Sequence, residues 1–186
     1  MYATQQLRDE HEGILTVLAV LEQMAEDAAA GRAVNLEHAG QVLDFLRTFA
    51  DKCHHGKEEE HLFPALEAAG FPRNGGPTAV MRMEHDEGRR YIQGMGEALA
   101  RMRAGQGGEH EFAADARGYV HLLRAHIDKE NLVLFTMAEQ ALPPQEHERL
   151  AREFDRVEAE RIGPGVHEQY HALIDTLRDT YLKVAA

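Results

Sequence analysis

Tryptophan is absent from this 186-residue chain, cysteine occurs once, and basic residues are outnumbered. Each shortage excludes something. A lone Cys53 forms no internal disulfide, so a reducing, cytoplasmic compartment is the expectation. Lys and Arg total 20 against 32 Asp and Glu, a formal net charge of -12. A chain so acidic repels phosphate, which argues against a nucleic-acid partner and against an anionic membrane surface. No segment carries the 18 uninterrupted apolar residues of a membrane span. The first residues, MYATQQLRDEHEGIL, lack both a basic start and an apolar run, so no signal peptide is expected. Period-two alternation of apolar and polar residues is missing as well, which leaves no convincing strand.

What remains is helical. Apolar residues recur at spacings of three and four, interrupted by Gly- and Pro-rich breakers such as GFPRNGGPT, GQGGEH and LPP. The pattern predicts helices over about residues 4–30, 35–69 (with Asn35 as N-cap), 78–104 and 111–141. Short connections between four such helices predict an all-α fold, an antiparallel up-down four-helix bundle over 1–143. Two further helices, about 144–161 and 166–184, form a C-terminal extension (144–186) expected to pack on the bundle. No internal repeat is evident, although the second and fourth helices, which carry the His-x-x-x-Glu pairs, are candidates for pseudo-symmetry.

The unusual component is histidine, with 12 copies. His11 interrupts the seam Leu7, Ile14, Leu18, Leu21, and His85 interrupts Met81, Gly88, Ile92, Met95. In the fourth helix His126 and Glu130 occupy the seam Tyr119, Leu123, Val133, Met137. The second helix offers two pairs four residues apart, His54/Glu58 and His55/Glu59. At about 100° per residue, Phe45, Phe49, His55, Glu59, Leu62, Phe63 and Leu66 share one broad face, which selects His55 and Glu59. His54, Glu58 and His61 then point elsewhere, with Glu58 and Glu60 in reserve as outer or exchange ligands. His38, His110 and His147 lie near helix starts, where solvated roles are expected, and Cys53 reads as a small buried hydrophobe.

A single core histidine is ordinarily a hydrogen-bonded one, and a single His-x-x-x-Glu is ordinarily a surface pair. Four seams interrupted at one end of an up-down bundle are hard to explain without a buried cation, because unneutralised carboxylates do not stay inside proteins. The implied donors are four imidazoles and two carboxylates. No thiolate is among them, and six ligands exceed one tetrahedral zinc, so two iron or manganese ions with bridging Glu are favoured. Ferritin-like di-iron bundles use Glu-x-x-His, the reverse order and a different spacing.

His11, His55-x-x-x-Glu59, His85 and His126-x-x-x-Glu130, with the strings HHGKEEEHLFPAL and EHDEGR, resemble the signature of hemerythrin-like (HHE cation-binding) proteins over about residues 4–141. The resemblance implies an oxo- or hydroxo-bridged centre of two iron ions in a four-helix bundle. Its ligand would be oxygen, nitric oxide or hydrogen peroxide, bound for sensing, storage or detoxification, or turned over by an oxidoreductase. Oxygen-carrying members have five His and a final Asp. Here Glu130 stands in the last motif, and Met81 and Arg89 flank a single His85 on the third helix. A fifth imidazole is therefore sought in His167 or His171, one turn apart in the last helix. Other readings are an iron donor for iron–sulfur repair and a metal-stabilised helical interaction module. A homo-oligomer is compatible with the sequence, which names no electron donor.

Overall fold

The computed structural model describes residues 2–163 and 165–182. Among these the regular structure is entirely helical. Helix α1 spans Ala3–Ala29. Helix α2 runs without a break over 36–68, passing from α geometry at Leu36–Phe45 into π turns at Leu46–His55 and Glu58–Leu62 and back to α at Phe63–Ala68. Helix α3 spans Pro77–Arg103. Helix α4 covers 109–141, with a π turn at Glu130–Leu134. The C-terminal helices are α5, Pro144–Arg161, and α6, Val166–Tyr181. Residues 183 and 184, the end of the last predicted helix, lie outside the described residues.

Local chemistry explains the boundaries. The Asn35 side chain accepts hydrogen bonds from the Glu37 and His38 amides, capping α2. After α1 the backbone turns through Gly31 at φ 69°, a left-handed value that favours glycine. Pro77 and Pro144 open α3 and α5, where a missing N–H costs nothing.

Two apolar clusters lie on either side of a polar layer. One gathers Ile14–Ala28 of α1, Ala39–Ala50 of α2, Ile92–Met102 of α3, Phe112–Ile127 of α4, and Tyr170, Ile174 and Leu177 of α6. The other gathers Ala3 and Leu7, Leu62–Leu66, Met81, Leu134–Leu142, and Leu150 and Phe154 of α5. Going along the chain, α1 and α3 pass from the second cluster to the first, and α2 and α4 pass back. Each crosses the polar layer at its histidines. Helix α5 packs against α1 and the π turns of α2, and α6 packs against α1. No described helix is long and apolar enough to cross a membrane.

Two expectations do not hold. Val133 is 50 % exposed; the seam after Glu130 continues through Leu134, Phe135 and Ala138. The π turn inserts one residue into the helical repeat, and every later side chain moves round accordingly. His147 is buried, with its ring edge-on to Tyr2, rather than solvated.

Candidate metal centre

Seven side chains meet in the polar layer. His55, Glu58, His85 and His126 form one group, and His11, His54, Glu58 and Glu130 form a second; within each group one ligand atom per residue lies within 4.8 Å of the others. All seven are buried. The imidazoles point their Nε2 atoms inward: His85 Nε2 and His126 Nε2 are 3.0 Å apart, as are His11 Nε2 and His54 Nε2.

Both carboxylates straddle the two groups. Glu58 places Oε1 3.7 Å from His54 Nε2 and Oε2 3.4 Å from His85 Nε2. Glu130 places Oε1 3.1 Å from His126 Nε2 and Oε2 3.3 Å from His11 Nε2. None of these four carboxylate oxygens has a hydrogen-bond partner among the described residues. Buried oxygens are rarely left so, and a pair of carboxylates even more rarely. Burial and the charge of Glu130 hold the Glu58 carboxyl well above its usual range. Burial opposes ionisation of Glu130 too, but His126 and His11 hold its carboxyl well below the usual range.

Each imidazole is fixed from behind at Nδ1. His54 faces Glu10 at 2.7 Å, His126 faces Glu84 at 2.9 Å, His85 faces Glu59 at 2.7 Å and His11 faces Asn131 at 2.9 Å. His55 faces Asp51 at 3.4 Å. An acceptor at Nδ1 takes the ring proton there and leaves the Nε2 lone pair for a cation. Arg89, which flanks His85 on α3, bonds Asp51 and Glu59, both at 2.8 Å, and so clamps the acceptors of His55 and His85. Met81 belongs to the apolar cluster.

The centre is built from two similar halves. Glu10-His11 of α1 corresponds to Glu84-His85 of α3, and His54-x-x-Lys57-Glu58 of α2 corresponds to His126-x-x-Lys129-Glu130 of α4. The correspondence holds contact by contact. Lys57 pairs with Glu10 as Lys129 pairs with Glu84. Glu58 and Glu130 each open a π turn. Phe63 stacks on His85 and Phe135 on His11. Arg82 lies over Phe63 and bonds Glu67, while Arg8 lies over Phe135 and bonds Glu139. His55 breaks the symmetry, for its counterpart is Ile127. One group therefore has three imidazoles and the other has two.

His11, His55, His85, His126 and Glu130 are thus brought together as the sequence suggested. Helix α2 corrects the rest. Glu58 occupies the place expected of Glu59, and Glu59 sits outside with its side chain 27 % exposed, bonded to His85 and Arg89. His54, expected to point away, faces His11. The expectation assumed 3.6 residues per turn, whereas Leu46–His55 and Glu58–Leu62 have π geometry, which admits both His54 and His55 to the interior. His167 and His171 belong to neither group; they face each other on α6. The fifth imidazole is His54. Cys53 is buried as expected, and burial pushes its thiol up to about 12, leaving it protonated and inert.

The sequence profile of the hemerythrin HHE cation-binding domain matches residues 2–138. Uncharacterised proteins of Mycobacterium tuberculosis and Mycobacterium bovis are 24% identical to the chain over 183 residues, covering 95% of it and 68% of their own length. No solved structure matches. With that profile spanning both halves of the histidine–carboxylate layer, the chain belongs to the hemerythrin HHE cation-binding family.

Proposed function

We propose that this protein holds two iron ions and uses them to bind or turn over a small ligand, oxygen, nitric oxide or hydrogen peroxide. The carrying observation is the set of four unpartnered oxygens on Glu58 and Glu130, each near an inward Nε2. Two cations held by these residues would satisfy all four oxygens. One ion would take His55, His85 and His126; the other would take His11 and His54. Five imidazoles and two carboxylates exceed the four ligands of one tetrahedral zinc and suit two iron ions.

Iron would supply a Lewis-acidic, redox-active position for the small ligand. The protein's own contribution is asymmetry. The His11/His54 side offers one imidazole fewer, and Ile127, the counterpart of His55, cannot coordinate. We assign the exogenous ligand to that side. Phe135 against His11 and Phe63 against His85 keep the surroundings apolar. His54 would supply the fifth imidazole. We place this centre in an antiparallel up-down four-helix bundle over 1–143, braced by 144–186, in the cytoplasm. Self-association is proposed, with the exposed apolar side chains Val80 and Met83 of α3 and Leu132 and Val133 of α4 available to it.

One preparation tests this. Protein from iron-replete cells is expected to hold two irons per chain and to change its visible spectrum with oxygen, nitric oxide or peroxide. One stoichiometric zinc, or no metal, would overturn the di-iron reading. Light scattering of the same sample that reports a monomer at every concentration would remove the oligomer.

A further inference from the structure

His167 and His171 are not used by the buried centre, yet they repeat its geometry. They lie one turn apart on α6, and their Nε2 atoms face each other at 2.7 Å. Behind them, His167 Nδ1 faces Glu158 Oε1 of α5 at 3.0 Å. At His54 and His126 a carboxylate hydrogen-bonds Nδ1 while Nε2 turns to a neighbouring Nε2; at His167 the carboxylate is near Nδ1 without a hydrogen bond, so that buried nitrogen is left unsatisfied among the described residues. Two imidazoles at i and i+4 on one helix face form a ready two-nitrogen chelate for a divalent transition ion.

The surroundings favour a cation. The pair lines a cavity of about 250 Å³ between α1 and α6, whose wall includes Asp9, Glu10 and Glu158. Of these acids Glu158 ion-pairs with His167, and the cavity has room for water to complete a coordination sphere. The position is accessible: the His167 side chain is 32 % exposed and His171 is exposed. Glu158 also bonds the buried Lys57, which pairs with Glu10 behind His54. The pair is therefore held against the outer wall of the buried centre while remaining separate from it. In the absence of metal the two rings satisfy each other by a hydrogen bond, one tautomer donating and the other accepting.

We propose that His167 and His171 form a second, solvent-accessible binding site for one divalent first-row transition ion, backed by Glu158 and completed by water. Neither the two-iron reading nor the family signature requires it. The test is calorimetric titration of Zn²⁺ into the protein as purified, with iron measured in every sample. Wild type is expected to take up one Zn²⁺ equivalent that His171→Gln and His167→Gln bind at least about tenfold more weakly, with iron content unchanged. His121→Gln, an exposed histidine elsewhere, should bind like wild type. His171→Gln changes an exposed side chain and should leave folding intact, which its circular dichroism will verify. Equal zinc uptake by His171→Gln and wild type, or no uptake by wild type, would overturn the proposal. Because the readout is the difference between wild type and variant, it stands whether or not the buried centre proves to hold iron.

Discussion

The division of labour between neighbouring residues is sharpest at Glu58 and Glu59. Glu58 is fully buried with both oxygens unpartnered, whereas Glu59 is partly exposed and supports His85 from behind. Glu58→Ala is accordingly expected to lose both ions, since it would remove a ligand from each. Glu59→Ala should keep two and weaken affinity by about 10–100-fold, the usual effect of an outer partner; elemental analysis after dialysis against a graded chelator separates the two outcomes. If Glu59→Ala strips the metal and Glu58→Ala does not, the assignment in α2 is wrong. Titration gives a second test. Without a cation, burial works against a charged His126, but Glu130 and Glu84 outweigh it and raise the imidazole to about 9. Burial and Glu130 raise Glu58 as well. A group raised in the folded state stabilises below its unfolded pKa and loses that contribution as pH climbs through its folded pKa. His54, lowered to about 4 mainly by burial, acts in the window between about 4 and 6.5, outside this range. Between pH 6.5 and 9 the stripped protein should therefore lose stability. The cation displaces those same protons, so the gap in melting temperature between loaded and stripped protein should widen across the window. A constant or shrinking gap in thermal melts would contradict the proposed ligation by His126 and Glu58.

At the scale of elements, the helix boundaries were legible because Gly, Pro and the Asn35 cap act locally. The register inside α2 and α4 was not, because it depends on where the helix widens. Neither π turn has a glycine or proline to announce it; the widening is imposed by bringing Glu58 and Glu130 to the centre while keeping Leu62/Phe63 and Leu134/Phe135 in the apolar cluster. A signal for the residues that meet in the polar layer was nevertheless present. His54-x-x-Lys57-Glu58 matches His126-x-x-Lys129-Glu130, and that internal match favours His54 and Glu58 over the pair chosen from a 3.6-residue wheel. Helix α2 also misled because α5 covers its outer side, so residues 53–58 are buried all round and show no periodicity. Removing one residue from the π turn of α4 tests its role. Deleting Leu132, which is 75 % exposed, closes the turn while leaving Leu134 and Ala138 in an α-helical seam after Glu130. Circular dichroism should show helix content retained. Iron should fall below two per chain, because Asn131 and Glu130 turn away from His11. Full iron loading in a folded deletion variant would mean that the widening serves packing alone.

For the whole molecule, the C-terminal helices add a second inequality between the halves to that of His55. Lys129 is 42 % exposed beside Glu84, whereas its counterpart Lys57 is fully buried beside Glu10 because α5 covers it and adds Glu158 at 3.1 Å. A buried ammonium needs its anions, since removing one partner leaves charge without compensation. Both apolar clusters also extend into the tail, through Leu150 and Phe154 on α5 and Tyr170, Ile174 and Leu177 on α6. Burying each such side chain contributes about 1.5–3 kcal/mol, against a total domain stability of about 5–15 kcal/mol. The tail is thus a structural brace whose charge reaches the His54 side of the centre through Lys57 and Glu10. Glu158→Ala probes that link without removing the apolar cover. Glu158 is 27 % exposed, so solvent screens part of its effect. A loss of about 1–3 kcal/mol is expected for leaving Lys57 short of one acceptor. Lys57 would then bind Glu10 more exclusively and draw it from His54 Nδ1, so iron on the two-imidazole side should exchange faster with a chelator while iron on the His55 side is unaffected. Biphasic iron release in Glu158→Ala, with only the fast phase changed from wild type, is the expected record. Identical release curves and an unchanged melting temperature would show that the tail neither steadies Lys57 nor acts on the centre.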